Sequence, residues 1–372
     1  WRTAWARRTP PPCTGKSSDA VRRESRGEIL KQQALLAAAL SAALLLGGCA
    51  QTAQEPASRQ IFAMDTVMSL EIYGAGAEEP LSQAVDTIYH LEALWDVTDE
   101  NSEIWALNHS GESWVDLSPE TADLLSQALD LCALTGGALD LTAYPAVRAW
   151  GFTTGEYRVP SQGELDTLIP LIDYTRLELD LDASRARLPQ GMELDLGAVA
   201  KGYTGAYLAD QLRAVGVSSA LLSLGGNVQT VGAKPDGSSW RVAIQDPDQE
   251  QQATLGVVEV ADQAVVTSGG YQRYFQAEGE TYWHIMDPET AAPARSGLRS
   301  VTVVGRDGTV CDALSTALFV LGAEEAGAFW RDHPELEVEL ILVLEDGSVQ
   351  ITQGLEETFT LSQDRALEVI AP

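Results

Sequence analysis

The segment ELDLGAVAKGY, residues 193–203, suits neither a surface nor a core. Leu194, Leu196, Ala198, Val199 and Ala200 favour burial. Asp195 and Lys201 place charge among them, and Gly197 and Gly202 leave the backbone bare. A strand-to-helix junction accommodates all of these: an alternating strand ends at Asp195 and a helix starts at Gly197. The first turn of a helix has unpaired N–H groups and a partial positive charge, which suits a phosphate. Lys201, one turn on, adds a full charge on the same side. A capped helix with a snorkelling lysine accounts for the segment equally well on its own.

The flanks extend this junction into a fold. RLELDLDASRARLPQGMELDLG (176–197) alternates like antiparallel strands with turns at Asp182–Ser184 and Gln190-Gly191. QIFAMDTVMSLEIYG (60–74) reads as two strands broken near Asp65. Helices are expected over 80–96, where Ala84, Ile88, Leu91 and Trp95 fall on one face, and over 101–108, 117–137, 161–171 and 197–215. The third of these opens with a Ser118 cap and Pro119 and stops at Gly136-Gly137. Strands follow near 240–245, 255–260, 264–268, 272–278 and 281–286. A strand at 299–305, helices at 311–321 and 323–332, and a final strand at 336–344 complete the pattern. Grouped helices with hairpin-connected strands predict an α+β fold of mostly antiparallel or mixed sheets with flanking helices.

The 372 residues have 45% hydrophobic content and a formal net charge of −30, unevenly spread. Eight of the 24 basic residues and three of the 54 acidic ones lie in 1–48, leaving −35 beyond. Such a body repels nucleic acid and anionic lipid. An anionic ligand needs local devices: a metal ion, backbone N–H groups or a lysine. ALLAAALSAALLL (34–46), too short to span a bilayer of about 30 Å, follows a basic region and ends at Leu46-Gly47-Gly48-Cys49. The pattern is similar to a bacterial lipoprotein signal over 30–48, with Cys49 lipidated, residues 49–59 a tether, and an extracytoplasmic, membrane-anchored location. Residues 1–29 are expected to be leader read as protein, because RGEIL (26–30) back-translates to a ribosome-binding site and a UUG or CUG start. Cys132, on an apolar helical face, is expected to be a buried thiol. Whether it pairs with Cys311 is open, and no CxxC or Cys/His cluster indicates zinc.

Three further stretches carry polar groups suited to chemistry. SLGGNVQTVG (223–232) puts two glycines and an asparagine between strands, either as a close approach to a ligand or as a hairpin turn. VVTSGGYQRYF (265–275) precedes HIMDPETAAP (284–293), in which His284 leads into a turn at Asp287-Pro288. In CDALSTALFVLG (311–322), Asp312 and Thr316 share a helical face and offer hard oxygen ligands suited to Mg²⁺; a helix cap is the alternative.

Together these stretches resemble the ApbE family of FAD:protein FMN transferases over roughly 60–345, with 346–372 as a C-terminal tail. The resemblance rests on Met64-Asp65-Thr66, Ser102-Glu103-Ile104 with Asn108, Gly136-Gly137-Ala138-Leu139-Asp140, Leu194 through Tyr203, and Leu224-Gly225-Gly226-Asn227. Thr267-Ser268-Gly269, His284-Ile285-Met286-Asp287-Pro288 and Asp312-Ala313-Leu314-Ser315-Thr316 complete it. It implies a lipoprotein that binds FAD and Mg²⁺, transfers FMN to a threonine or serine hydroxyl, and releases AMP. Implied acceptors are redox-driven ion-pump subunits or extracellular flavoproteins. Asp312, Thr316 and the Ala198 carbonyl would hold Mg²⁺. Met64, Asn108 and Asp140 would contact flavin or adenine, Lys201 the nucleotide, and Thr267 and Ser268 the phosphates. His284 would accept the hydroxyl proton or stabilise the transferring phosphate, with Asp287 as its orienter. The family often has Gly at Asp65 and at Ala291, and Phe-Asp-Pro at Leu139-Asp140-Leu141. Two other readings stay open: an FAD pyrophosphatase, in which water replaces the acceptor, and a flavin- or solute-binding lipoprotein without catalysis.

Overall fold

The structure is a computed structural model that describes residues 55–248 and 253–372. The expected leader and signal segment, Cys49 and the first part of the expected tether lie outside the described residues.

In chain order the elements are β1 (Ala57–Ala63), β2 (Thr66–Ile72), α1 (Glu78–Trp95), α2 (Glu103–Asn108), β3 (Val115–Asp116), α3 (Pro119–Leu134), α4 (Tyr144–Ala149) and α5 (Gln162–Leu168). Next come β4 (Glu178–Asp180), β5 (Arg185–Arg187), α6 (Ala200–Ala214), β6 (Ala220–Leu224), β7 (Asn227–Val231), β8 (Trp240–Gln245), β9 (Thr254–Val260) and β10 (Ala264–Gly269). The chain continues through β11 (Tyr274–Ala277), β12 (Glu280–Trp283), β13 (Met286–Asp287), β14 (Ala292–Pro293), β15 (Leu298–Gly305), α7 (Gly308–Leu321) and α8 (Ala323–Asp332). It ends with β16 (Glu339–Leu344), β17 (Val349–Thr352), β18 (Phe359–Leu361) and β19 (Leu367–Ile370).

Among the described residues, nine strands form one sheet in the order β1-β2-β6-β7-β10-β15-β16-β17-β19. Every neighbouring pair is antiparallel except β17 with β19. Side chains alternate across it, as the pleat requires. Val266, Val301, Val303, Leu340 and Leu342 pack against Leu314, Leu318 and Phe319 of α7. Val265, Val304, Ile341 and Val343 face the small sheet β18-β9-β8 on the other side. Met68, Leu70, Leu222 and Leu224 continue the helical side against Leu81, Ala84 and Ile88 of α1 and Leu208 and Leu212 of α6. A further helical core joins α2, α3 and residues 186–203. The α+β class of the expected kind is the class observed.

Several boundaries differ from the sequence expectation. β1 begins at Ala57, so the last residues of the expected tether are paired, Ala57 with Ile72 and Ser58 with Glu71. Residues 190–197 form no strand. There Asn108 replaces a strand partner: its Nδ2 donates to the Leu194 carbonyl at 2.8 Å and its Oδ1 accepts the Leu194 N–H at 2.8 Å. The Asp195 N–H donates to the Leu141 carbonyl at 3.1 Å. The helix starts at Ala200, not Gly197. Residues 346–372, expected as a tail after a final strand, instead supply β17, β18 and β19 to two sheets, because Val349, Ile351, Leu355 and Phe359 complete the core between them. Cys132 and Cys311 are both buried free thiols.

Candidate active site

Two helices and three hairpins meet at a cavity of about 660 Å³, within the usual size range of small-molecule sites. Met64, Asp140, Ala198, Lys201, Thr267, Ser268, His284, Asp312 and Thr316 all line it. Asn108 and Asp287 do not.

The 193–203 segment forms one wall. Leu194, Leu196 and Val199 are buried. Asp195 faces the cavity, and its Oδ1 accepts the Gly197 N–H at 2.8 Å. Lys201 Nζ donates to the Gly197 carbonyl at 3.2 Å. Gly202 answers a different need from ligand approach. A Cβ there would lie 2.2 Å from the Gly308 carbonyl oxygen and 2.5 Å from Asp312 Cβ. The bare backbone therefore lets α6 and α7 touch. Its N–H donates to Asp312 Oδ2 at 2.8 Å.

Asp312 is 3% exposed, and burial raises its pKa; Lys201, Asn227 and the Gly202 N–H pull the other way. Thr316 lies one turn later on α7, and Ser268 Oγ is within 3.2 Å of Thr316 Oγ1 and 2.8 Å of Ser315 Oγ. Thr267, on the opposite face of β10, instead places its hydroxyl 2.8 Å from that of Thr302. Among the described residues no three His, Cys, Asp or Glu side chains form a metal cage. One buried carboxylate, a hydroxyl and a nearby backbone carbonyl fit Mg²⁺, which keeps waters and takes its other ligands from substrate phosphates. A buried carboxylate whose backbone donor, the Gly202 N–H, is neutral also gains from a further cation.

The β6–β7 connection is a hairpin turn, with Gly225 at φ 64° and Gly226 at φ 100°, and both glycines border the cavity. After β10 in the chain, β11 and β12 form a hairpin of their own that delivers His284. The imidazole borders the cavity, while its Nδ1 is buried without a partner. Its pKa is lowered to about 4, first by burial and then by the Arg273 and Lys201 charges; the Arg273 backbone opposes this.

Two of the expected site residues make their contacts elsewhere. Asn108 spends both ends of its amide on the Leu194 backbone, so it positions the cavity wall from outside. Asp287 accepts from Glu289 N at 2.9 Å and Thr290 Oγ1 at 3.0 Å, building the β13–β14 turn, and has no bond to His284. Asp140 borders the cavity, but Oδ1 accepts from Thr142 N and Oγ1 at 2.8 and 2.6 Å, and Oδ2 accepts from Tyr174 N at 2.9 Å. It shapes the loop more than it offers a free contact. Asp65 and Ala291 have φ of 59° and 54°. Left-handed backbone of this kind favours glycine, so both residues hold a conformation unusual for their type.

The sequence reading gave no role to Asp195 beyond ending a strand and none to Arg273. Asp195 combines burial, which raises its pKa, with the Gly197 N–H, Arg273 and Lys201, which lower it. Its signal lay two residues before Gly197; that of Arg273 lay in hairpin register.

The family model described as "ApbE family" matches residues 64–340. A Vibrio cholerae relative named FAD:protein FMN transferase is 30% identical over 321 residues, 83% of this chain and 94% of the relative. A Treponema pallidum relative of the same name is 31% identical over 317 residues, covering 80% and 87%. The crystal structure of the ApbE protein from Thermotoga maritima superposes with a TM-score of 0.76 at 29% identity, covering 81% of this chain and 98% of that one. The apo flavinyl transferase ApbE of Pseudomonas stutzeri gives 0.72 at 27% identity, covering 82% and 97%. With its fold, its site-bearing segments and these relatives in agreement over most of its length, this chain belongs to the ApbE family.

Proposed function

We propose that this chain transfers FMN from FAD to a threonine or serine hydroxyl of an acceptor protein and releases AMP. The observation that carries the reading is the shared cavity: His284 borders the same space as Asp312, Thr316 and Ala198. A binding protein has no use for that combination.

Asp312, Thr316 and the Ala198 carbonyl would hold Mg²⁺, which when bound neutralises pyrophosphate charge. Lys201 and Asp195 border the nucleotide's path, one attracting phosphate and the other accepting from N–H or hydroxyl groups. The acceptor oxygen attacks the FMN-side phosphorus. Its P–O bond forms as the bond from that phosphorus to the bridging oxygen breaks, and AMP leaves with the bridging oxygen. His284, neutral near pH 7 because burial and two cations disfavour its charged form, takes the hydroxyl proton. Ser268 ties β10 to α7, holding Thr316 in place.

The test is incubation with FAD, Mg²⁺ and candidate acceptor domains, followed by in-gel flavin fluorescence and AMP measurement. Covalent fluorescence on the acceptor with equimolar AMP is expected. Free FMN and AMP at an acceptor-independent rate would instead make the chain a pyrophosphatase. We also propose that Cys49 is lipidated and anchors the chain outside the cytoplasm, near acceptors such as redox-pump subunits or extracellular flavoproteins. The signal-like segment supports this, and Cys49→Ser is expected to move the protein from the membrane to the soluble fraction.

A further inference from the structure

The β11–β12 hairpin turns on two residues, Glu278 at φ 56° and Gly279 at φ 85°. That tight turn sets the register: Ala277 faces Glu280, Gln276 faces Thr281, Phe275 faces Tyr282 and Tyr274 faces Trp283. The next pair in this register is Arg273 with His284, and the His284 N–H donates to the Arg273 carbonyl at 3.2 Å. Directly opposed residues of an antiparallel pair bring their Cβ atoms to about 4.5–5.5 Å, so the two side chains are neighbours on one face.

The guanidinium is held from two other directions. It donates to the Phe152 carbonyl at 2.8 Å and lies 3.4 Å from Asp65 Oδ2 in the β1–β2 turn. The Phe152 ring in turn packs against the imidazole, with centroids 6.3 Å apart. Arg273 thus joins three separate segments around His284. The charged groups acting on the imidazole are Arg273, from the hairpin, and Lys201, from α6; Phe152 contributes an apolar face. Asp287 is engaged in its own turn. Asp195 interacts with Arg273 and Lys201.

We propose that Arg273 is the positioning residue for His284 in the transfer reaction, fixing the imidazole at the cavity wall and placing a permanent like charge beside it. The assignment rests on the transferase reading for its functional meaning, but its physical content is independent. A fixed cation beside the ring favours the unprotonated, proton-accepting form. The tie to Phe152 stops the ring from turning away from the cavity. Arginine suits both tasks, since its charge is permanent and its rigid guanidinium carries one nitrogen, Nη2, that reaches both the Phe152 carbonyl and Asp65.

The experiment compares the wild-type full chain with Arg273→Gln and Arg273→Lys, with Arg273→Met in reserve should the Gln variant fail to fold. One readout is the NMR titration of the His284 ring C–H signal, assigned by its loss in His284→Gln. The other is the pH profile of FMN transfer to a fixed acceptor. In Arg273→Gln the imidazole's proton affinity is expected to rise about tenfold, and the acid limb of the profile should move upward with it. Arg273→Lys should keep the wild-type titration and limb while lowering the rate evenly, because the charge survives but the shorter, flexible ammonium does not reproduce the Nη2 contacts to Phe152 and Asp65. A Gln or Met variant in which His284 titrates as in the wild type overturns the assignment. So does one in which the ring titration moves but the rate profile does not. If the wild-type chain transfers no FMN at all, the transferase reading fails, and the titration alone still decides whether Arg273 sets the state of His284.

Discussion

His284 is half-buried and Asp312 buried, and loss of water acts on the two in opposite senses. For His284 the folded pKa is lowered to about 4, against about 6.5 unfolded. Between those values the unfolded chain binds a proton that the folded one does not. Stability contributed by the neutral ring is therefore present above about 6.5 and lost as pH falls towards 4. The same shift means that FMN transfer should be flat from about pH 5.5 to 8, not rising through 6.5 as a free imidazole would. His284→Gln should lower transfer by about 10²–10⁴-fold while FAD still binds, measured by turnover and by FAD fluorescence. A profile that climbs through pH 6.5 would place the ring in a more open setting. For Asp312, burial raises the folded pKa, so its charge opposes folding above the unfolded pKa, and this penalty disappears as acid protonates it. Mg²⁺ should relieve the penalty, stabilising the protein by about 2.7 kcal/mol at a hundredfold excess over Kd. Asp312→Asn should leave the metal-free fold at least as stable and abolish the Mg²⁺ response in thermal unfolding.

At the scale of elements, the α6–α7 contact holds the site together. Gly202 and Gly308 face each other there, and a Cβ on Gly308 would lie 2.6 Å from the Gly202 carbonyl oxygen. A shift of α7 moves Asp312 itself, and a shift of α6 pulls the Gly202 N–H away from its carboxylate. Gly202→Ala should therefore cost about 3 kcal/mol through overpacking, read by chemical denaturation, and should lower Mg²⁺ affinity as well. A loss of stability with unchanged metal affinity would show that α7 can shift without moving its carboxylate. The Asn108 clamp works at the same scale, pinning an irregular segment where a strand partner would otherwise be needed.

At the scale of the whole molecule, the last 27 residues close the main sheet and the small sheet over one core. Val349 and Ile351 are almost wholly buried, with Leu355 and Phe359 beside them. Arg365 binds the buried Asp246 through both carboxylate oxygens, at 2.8 and 2.9 Å, and so fastens this segment to the end of β8. At about 1.5–3 kcal/mol for each large apolar side chain, truncation after Glu345 removes an amount comparable to a domain's whole stability. The truncated chain should be insoluble or bind a dye for exposed apolar surface at 25 °C. A soluble, cooperatively unfolding product would show that β1–β16 form a self-sufficient body.

Local chemistry was legible in the sequence wherever neighbours along the chain set the outcome. The Ser118-Pro119 start of α3, the apolar face of α1 and the break near Asp65 between two strands depend on short-range periodicity, capping and turn geometry. So does the placing of Asp312 and Thr316 on one helical face, because 3.6 residues make a turn. The tertiary structure decided what depends on contacts between distant segments. Asn108 meets Leu194 across 86 residues, and Gly202 meets Asp312 across 110. No periodicity encodes such a meeting, so the sequence could not show that Asn108 holds the Leu194 backbone or that Gly202 packs two helices together. The C-terminal strands were missed for the same reason: their apolar residues are too few to mark a core alone and become one only when two sheets close over them.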